Sequence, residues 1–324
     1  MNHLSSPSVT VILPILNEEA DLQNCISAIL QQDYAGEIEI ILALGPSKDK
    51  TNQIASDLAA GDKRIKLVNN PTGQTAKGLN LAIKESAFEI ICRIDGHSEI
   101  SNSYLRTAIS IMQESGAVNV GGLMHADSQS GLQRTIAQAM RSKLGVGASK
   151  FHTGGKAGPS DTVYLGTFKK SAILAAGGFD ERYIRAQDWE LNHRMRAQGG
   201  LIWFDPRLVV TYRPRKSLSK LAKQYFQYGR WRRVITRQHQ NTANFRYLAP
   251  PIAVLVILLS ISFAVLVNPV FITPIFIYFA SLIVGSIFIG KKIADKLLMP
   301  LVLATMHLSW GVGFITSPKK LFKS

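Results

Sequence analysis

Along the first hundred residues, short apolar runs alternate with polar, amphipathic stretches. Val9-Thr10-Val11-Ile12-Leu13-Pro14 is rich in β-branched residues and stops at a proline, before Asn17-Glu18-Glu19-Ala20-Asp21. This order predicts a strand, a turn and a helix entry whose acidic first turn suits the helix dipole. Glu37 to Leu44 predicts a second strand, Gly45 to Thr51 a turn, and Thr51 to Ala60 a helix. Ile65 to Asn69 predicts a third strand, followed by a loop carrying Lys77 and a helix ending near Glu85. A fourth run begins at Ile90. Strands and helices joined by short connections predict a mainly parallel sheet covered on both faces.

The fourth run, Ile90-Ile91-Cys92-Arg93-Ile94, ends abruptly in Asp95-Gly96-His97. The C-terminal end of a buried strand is where open α/β sheets place their ligands. In an extended chain, positions 95 and 97 project to the same side, so one oxygen and one nitrogen could meet a divalent cation. The same residues also fit a strand and a polar turn, with His97 capping a backbone group. Further on, Leu132 to Leu144 predicts a helix and Gly145 to Pro159 a glycine-rich mobile loop over the site. Gly166 permits a close backbone approach. Gly177-Gly178-Phe179-Asp180 predicts a turn, and Arg185-Ala186-Gln187-Asp188 leads into a helix from Trp189 to Ala197. By itself, Asp188 reads as an N-cap.

From Leu218 to Val234 a helical pattern mixes Leu221, Tyr225, Phe226 and Tyr228 with Lys220, Lys223, Arg230, Arg232 and Arg233. Such a helix suits the headgroup layer of a membrane, or simply a solvated charged face. Residues 249–267 and 270–289 each approach the roughly 20 apolar residues needed to cross a bilayer, with Asn268-Pro269 between them. Lys291-Lys292-Ile293-Ala294-Asp295-Lys296 then returns positive charge to the cytoplasmic side. Leu297 to Thr316 is a weaker third segment carrying Pro300, His307, Gly311 and Gly313. It is expected to be re-entrant or interfacial, which leaves the C-terminus cytoplasmic.

The chain has 324 residues, 46% of them hydrophobic, enough for one large domain and an apolar appendage. A formal net charge of +15 beside such apolar segments points to an anionic membrane or phosphorylated substrates. No recognised nucleic-acid module accompanies it. Cys25 and Cys92 sit in apolar settings, read as reduced core residues, and supply no zinc site. The first residues lack the basic flank and long apolar run of a signal peptide, so the first domain is expected in the cytoplasm.

Val11 to Glu19, the Ser47…Asp49…Thr51 loop, Lys77-Gly78-Leu79-Asn80 and Arg93 to His97 occur in the order and spacing of a known family. Asp161 to Phe168, Gly177 to Glu181 and Gln187 to Asn192 continue the series. Over roughly residues 9 to 235 the chain resembles family 2 glycosyltransferases with the GT-A nucleotide-sugar-binding fold. The nearest branch is similar to the succinoglycan-type exopolysaccharide glucosyltransferases. The resemblance implies a GT-A domain at 1–235 that includes the basic helix, a linker at 236–247 and a membrane anchor at 248–324 with two or three hydrophobic helices.

It also implies donor contacts at Pro14, Asn17, Glu18, Gly45, Lys77, Asn80, Asp95 and Gly166, and a catalytic base at Asp188. Gln187 would serve the acceptor or diphosphate. So would Gln227, Arg230 and Trp231, which fit the Gln-x-x-Arg-Trp pattern of membrane-bound polysaccharide synthases. Asp95 and His97 would hold a divalent metal. His97 departs from the family's aspartate and favours Mn²⁺ over Mg²⁺; Leu44 and Gln187 also stand where the family often has carboxylates. The implied enzyme is an inverting, metal-dependent glycosyltransferase, a hexosyltransferase in kind. It would move a sugar from a nucleotide diphosphate sugar to a lipid-linked or polysaccharide acceptor in cell-surface polysaccharide or glycolipid synthesis. It would sit in the cytoplasmic membrane as a multi-pass protein with its catalytic domain in the cytoplasm. A polyprenyl-phosphate sugar transferase and a non-catalytic nucleotide-sugar-binding membrane protein are the alternatives. Protein partners, the sugar and the linkage are left open.

Overall fold

A computed structural model describes residues 6–322, and the chain divides into two compact units. The first comprises Met1–His125 and Gly154–Tyr212, the second Ala126–Thr153 and Arg213–Ser324. The division is not the linear one expected: a segment from the middle of the chain, and the basic helix, group with the apolar C-terminal helices.

The first unit is built on a nine-stranded sheet. In chain order its strands are β1 (Val9–Ile15), β2 (Ile38–Leu44), β3 (Ile65–Asn69), β4 (Ile90–Arg93), β5 (Glu99–Ile100), β6 (Asn119–Ala126), β7 (Gly158–Pro159), β8 (Tyr164–Lys169) and β9 (Ile202–Tyr212). Their spatial order is β3-β2-β1-β4-β8-β6-β9-β5, with β7 also paired to β9. The pairs β3-β2, β2-β1 and β1-β4 are parallel, as the alternating pattern predicts. Beyond β4 the pairs β4-β8, β6-β8, β5-β9 and β7-β9 are antiparallel, so the sheet as a whole is mixed.

The continuous apolar runs of β1 and β2 are buried on both faces, because helices cover both sides of a parallel sheet. The Leu22–Leu30 helix turns Leu22, Cys25, Ile26 and Ile29 inward, and the Thr75–Glu85 helix turns in Ala76, Leu79, Ala82 and Ile83. Both sets follow the 3.6-residue period. Pro14 does not end β1, which continues to Ile15 in register with Leu44. Because β1 lies between β2 and β4, the chain changes direction across the sheet at this point. A crevice at the carboxyl ends of the strands follows from such a switch. The loops after β1, β2 and β4 all emerge there.

The second unit is helical. Its segments are Gly131–Met140, Lys143–Val146, Lys150–Thr153, Leu218–Gln238, Phe245–Leu266, Thr273–Ile289 and Ile293–Ile315. The expected glycine-rich loop at 145–159 is therefore partly helical and ends in β7. Three helical stretches, Phe245–Leu266, Pro269–Ile289 and Ile293–Ile315, are long and apolar enough to cross a membrane. The third is one continuous helix that begins before Leu297 and that Pro300 does not break. Its glycines serve close packing instead. A Cβ on Gly313 would lie 2.1 Å from the Phe226 carbonyl oxygen, and one on Gly229 would lie 2.1 Å from that of Trp310. The basic Leu218–Gln238 helix thus meets the third apolar helix backbone to backbone.

Candidate active site

Arg93, the last residue of β4, points its guanidinium at two carboxylates. Its Nε and Nη2 donate to Asp95 Oδ1 at 3.1 and 2.9 Å, and its Nη1 donates to Asp188 Oδ1. Only 5% of the Arg93 side chain is exposed, against 21% for Asp95 and 34% for Asp188. One inert cation at the floor therefore binds two anions that open towards solvent. Burial alone would push the guanidinium's pKa down, but the charges of Asp188 and Asp95 carry it up, so Arg93 stays charged. Burial raises the pKa of the Asp188 carboxyl, Arg93 pulls it back, and Asp95 adds to the rise; the net shift is upward.

Asp188 reaches Arg93 because its helix starts in an unusual way. The Gln187–Ala197 helix begins one residue before Asp188, and Ala186 ahead of it has φ of 64°. A non-glycine residue in the left-handed region is strained and persists only where its surroundings over-determine it. Asp188 is thus in the first helical turn rather than at the cap, and its carboxylate goes to Arg93. The helix itself is tied down along its length. Asn192 accepts from Asn119 Nδ2 at 2.7 Å and donates to Thr162 Oγ1 at 2.9 Å, both bonds buried. Arg194 pairs with Glu190 and donates to the Gly178 carbonyl at 2.7 Å.

His97 follows two residues after Asp95, and its Nδ1 lies 2.9 Å from Glu18 Oε1. The Glu18 hydrogen bond raises the imidazole's pKa against the opposing effect of burial. Gly96 makes the contact possible: a Cβ there would lie 2.8 Å from Ile15 Cδ1 and 3.1 Å from Glu18 Cγ. All the Arg93 bonds to Asp95 use Oδ1. Asp95 Oδ2 and His97 Nε2 are left without hydrogen-bond partners among the described residues. A carboxylate oxygen and an imidazole nitrogen oriented from behind by a second carboxylate fit a divalent cation. Among the described residues no three His, Cys, Asp or Glu side chains cluster as a complete metal set. Any further ligands would have to come from substrate or water.

Other expected donor residues have visible structural work. Asn17, at φ 57°, accepts from Lys48 N at 2.8 Å through Oδ1 and donates its own N–H to Ser47 Oγ at 3.0 Å. Glu18 N donates to Thr51 Oγ1 at 2.7 Å. The Ser47-to-Thr51 loop thus latches the turn after β1, which sets Glu18 on His97. Asn80 has a structural partner of its own: its amide donates to the Phe179 carbonyl at 2.8 Å and accepts from Phe179 N at 2.8 Å. It places the Gly178-Phe179 turn. Gly166 also has an internal reason, since a Cβ there would lie 2.2 Å from Asn119 Oδ1. Gly45 follows β2 and donates its N–H to the Ile15 carbonyl at 2.8 Å. Lys77 is half-buried with no ion pair among the described residues, and Gln187 is buried.

Gln227, Arg230 and Trp231 belong to the second unit. Trp231 is 2% exposed, so its ring is packed into that unit. Gln227 and Arg230 are half-buried, and the Arg230 guanidinium carbon lies 5.6 Å from the Phe226 ring centroid. Arg93 is the residue of this candidate site that sequence reasoning did not single out. Its signal was a cation inside an apolar strand, a place where an unpaired charge is too costly to keep.

The family model described as glycosyl transferase family 2 matches residues 10–173. The succinoglycan biosynthesis protein ExoA of Rhizobium meliloti is 28% identical over 97% of this chain and 96% of its own length. A dolichyl N-acetyl-alpha-D-glucosaminyl phosphate 3-beta-D-2,3-diacetamido-2,3-dideoxy-beta-D-glucuronosyltransferase of Methanococcus voltae is 27% identical over 94% of this chain and 95% of its own. Among solved structures, a mannosyltransferase from Pyrobaculum calidifontis in complex with GDP-Man and Mn²⁺ superposes with a TM-score of 0.62. It is 18% identical, with 97% of this chain and 88% of that one covered, a likeness of GT-A fold.

Proposed function

The chain belongs to glycosyl transferase family 2 and is a glycosyltransferase of glycan synthesis, and we propose that it transfers a sugar from a nucleotide diphosphate sugar with inversion. The observation that carries this reading is the pair of carboxylates, Asp95 and Asp188, held on the single buried guanidinium of Arg93. In the reaction, an acceptor hydroxyl oxygen bonds to the anomeric carbon as the bond from that carbon to the diphosphate oxygen breaks. The electron pair leaves with the nucleoside diphosphate, and the hydroxyl proton passes to Asp188 Oδ2. Asp188 suits this part because its raised pKa makes it a better proton acceptor than an ordinary aspartate. Arg93 holds the base in place without competing for the proton.

A divalent cation held by Asp95 and His97 would neutralise the charge that develops on the leaving diphosphate. Glu18 orients the His97 ring for that task. The acceptor is a lipid-linked or growing saccharide, in keeping with the similarity to ExoA and with helices apolar enough to cross a membrane. The protein is membrane-associated, with the catalytic unit on the cytoplasmic face.

The metal reading is tested by titration. Activity should vanish in excess chelator and return with Mn²⁺ at lower concentration than with Mg²⁺, because imidazole binds the softer ion better. His97→Asp should narrow that preference. Glu18→Gln should raise the Mn²⁺ concentration needed for half-activity by about 10–100-fold, as loss of a group that orients a metal ligand generally does. Full activity in chelator would remove Asp95 and His97 from a metal role.

A further inference from the structure

We propose that the third apolar helix, Ile293–Ile315, does not cross the bilayer but lies on the membrane face where the basic Leu218–Gln238 helix sits, with its uncovered side in the lipid interface. The inference rests on the membrane-bound reading above and concerns how the second unit sits in that membrane. By length and composition this helix passes for a span. Its polar partners argue against one, and His307 Nδ1 also meets the Tyr278 hydroxyl of the Thr273–Ile289 helix at 3.3 Å.

Near its start, Asp295 is 1% exposed and serves as the hub of a polar network with the Gly131–Met140 helix. Arg134 pairs with Asp295 Oδ1 at 2.9 Å, Thr135 Oγ1 donates to it at 3.1 Å, and Gln138 Nε2 donates to Oδ2 at 3.0 Å. Midway, the His307 ring nitrogen Nε2 bonds the Leu144 carbonyl at 2.8 Å, on the short Lys143–Val146 helix. Just past its end, Ser317 Oγ donates to the Arg230 carbonyl at 3.0 Å, and Arg237 Nη2 donates to the Ser317 carbonyl at 3.0 Å. Between those points the Gly229 and Gly313 backbone approaches hold it to the Leu218–Gln238 helix.

From Asp295 to Gly313 the helix rises about 27 Å at 1.5 Å per residue. That nearly equals the roughly 30 Å hydrocarbon core. A crossing helix would therefore carry one set of these partners to the far side. Neither set can go. The 131–146 segment and the Leu218–Gln238 helix are joined through residues 154–212, which contain no helix apolar enough to cross. They lie on one side. Lys220, Lys223, Arg230, Arg232, Arg233 and Arg237 on the basic helix also forbid immersion, since each cation costs roughly 2.5–3.5 kcal/mol at the centre of a membrane helix.

The remaining helices complete the geometry. Phe245–Leu266 and Thr273–Ile289 cross and return, which brings Lys291 back to the Gly131–Met140 helix, where its N–H donates to Gln138 Oε1 at 3.1 Å. Gly311 lies against the Pro250 carbonyl, at the near end of the first crossing helix. On the third helix, Ile293, Leu297, Leu301, Val312 and Ile315 are exposed along one face. An apolar stripe backed by a basic helix and continuous with two crossing helices fits the headgroup–acyl boundary of a bilayer.

Single-cysteine labelling with a membrane-impermeant maleimide on intact and lysed cells tests this. The wild-type background is silent, because Cys25 and Cys92 are buried and burial pushes both thiols up to about 12. Lys319→Cys should be labelled on the same side as Lys223→Cys on the basic helix, and Val267→Cys on the opposite side. A spin label at Leu301→Cys should report headgroup depth rather than the bilayer centre. If Lys319→Cys sides with Val267→Cys, or the Leu301 label sits at the centre, the helix crosses and the proposal is overturned. If all three cysteines label on one side, the crossing hairpin is absent and the proposal also falls, with sugar transfer by the first unit left standing.

Discussion

Asp188→Asn is expected to lower kcat for sugar transfer by about 10²–10⁴-fold, the usual contribution of a positioned general base, with donor affinity changed by far less. The amide keeps the shape of the carboxylate and can still accept from Arg93 Nη1 through its oxygen, so the strained start at Ala186 and the buried Asn119–Asn192–Thr162 chain stay in place. What is lost is the lone pair that takes the acceptor proton. Steady-state transfer kinetics, with donor binding measured separately by calorimetry, check this. Turnover within a few-fold of wild type would remove Asp188 from the mechanism.

Arg93 supports the second large effect, and two substitutions separate its parts. Arg93→Met removes the cation between two carboxylates. Breaking a fully buried pair by deleting one partner costs about 3–5 kcal/mol. Here about 2–4 kcal/mol is expected, because Asp95 and Asp188 retain partial solvent exposure. Arg93→Lys keeps the charge but supplies a point donor in place of the fork that reaches Asp95 with Nε and Nη2 and Asp188 with Nη1. Lysine should hold one carboxylate and release the other. Stability should then recover most of the way to wild type while kcat remains down about 10²-fold, the scale of an ångström-sized misplacement of a catalytic group. Wild-type kcat in the lysine variant would show that the bridge does not position the base.

Much of the first unit was legible because its signals are local. The strands from Val9, Ile38, Ile65 and Ile90 are apolar runs bounded by turn residues, and their parallel pairing follows from alternation with helices. The motifs around Asn17, Asp95 and Asp188 carry the resemblance to family 2 glycosyltransferases in the sequence alone. Periodicity carries no information about pairing partners far apart in sequence. The antiparallel half of the sheet, built from β5 to β9, was therefore not foreseen.

The same limit separates the two halves of the site. The sequence by itself determined which residue types could do the chemistry: a carboxylate and an imidazole two positions apart, and an aspartate at the start of a helix. Only the tertiary structure decided that Arg93 joins carboxylates 93 residues apart (188 − 95 = 93), or that Glu18 stands behind His97. It also decided that Asn80 holds a turn and that Trp231 is packed away. For the last helix, Pro300, His307 and the glycines already marked a weak span in the sequence, but composition is blind to what a helix leans on. Asp295, His307 and Ser317 find their partners across long stretches of chain, which no local pattern in the sequence announces.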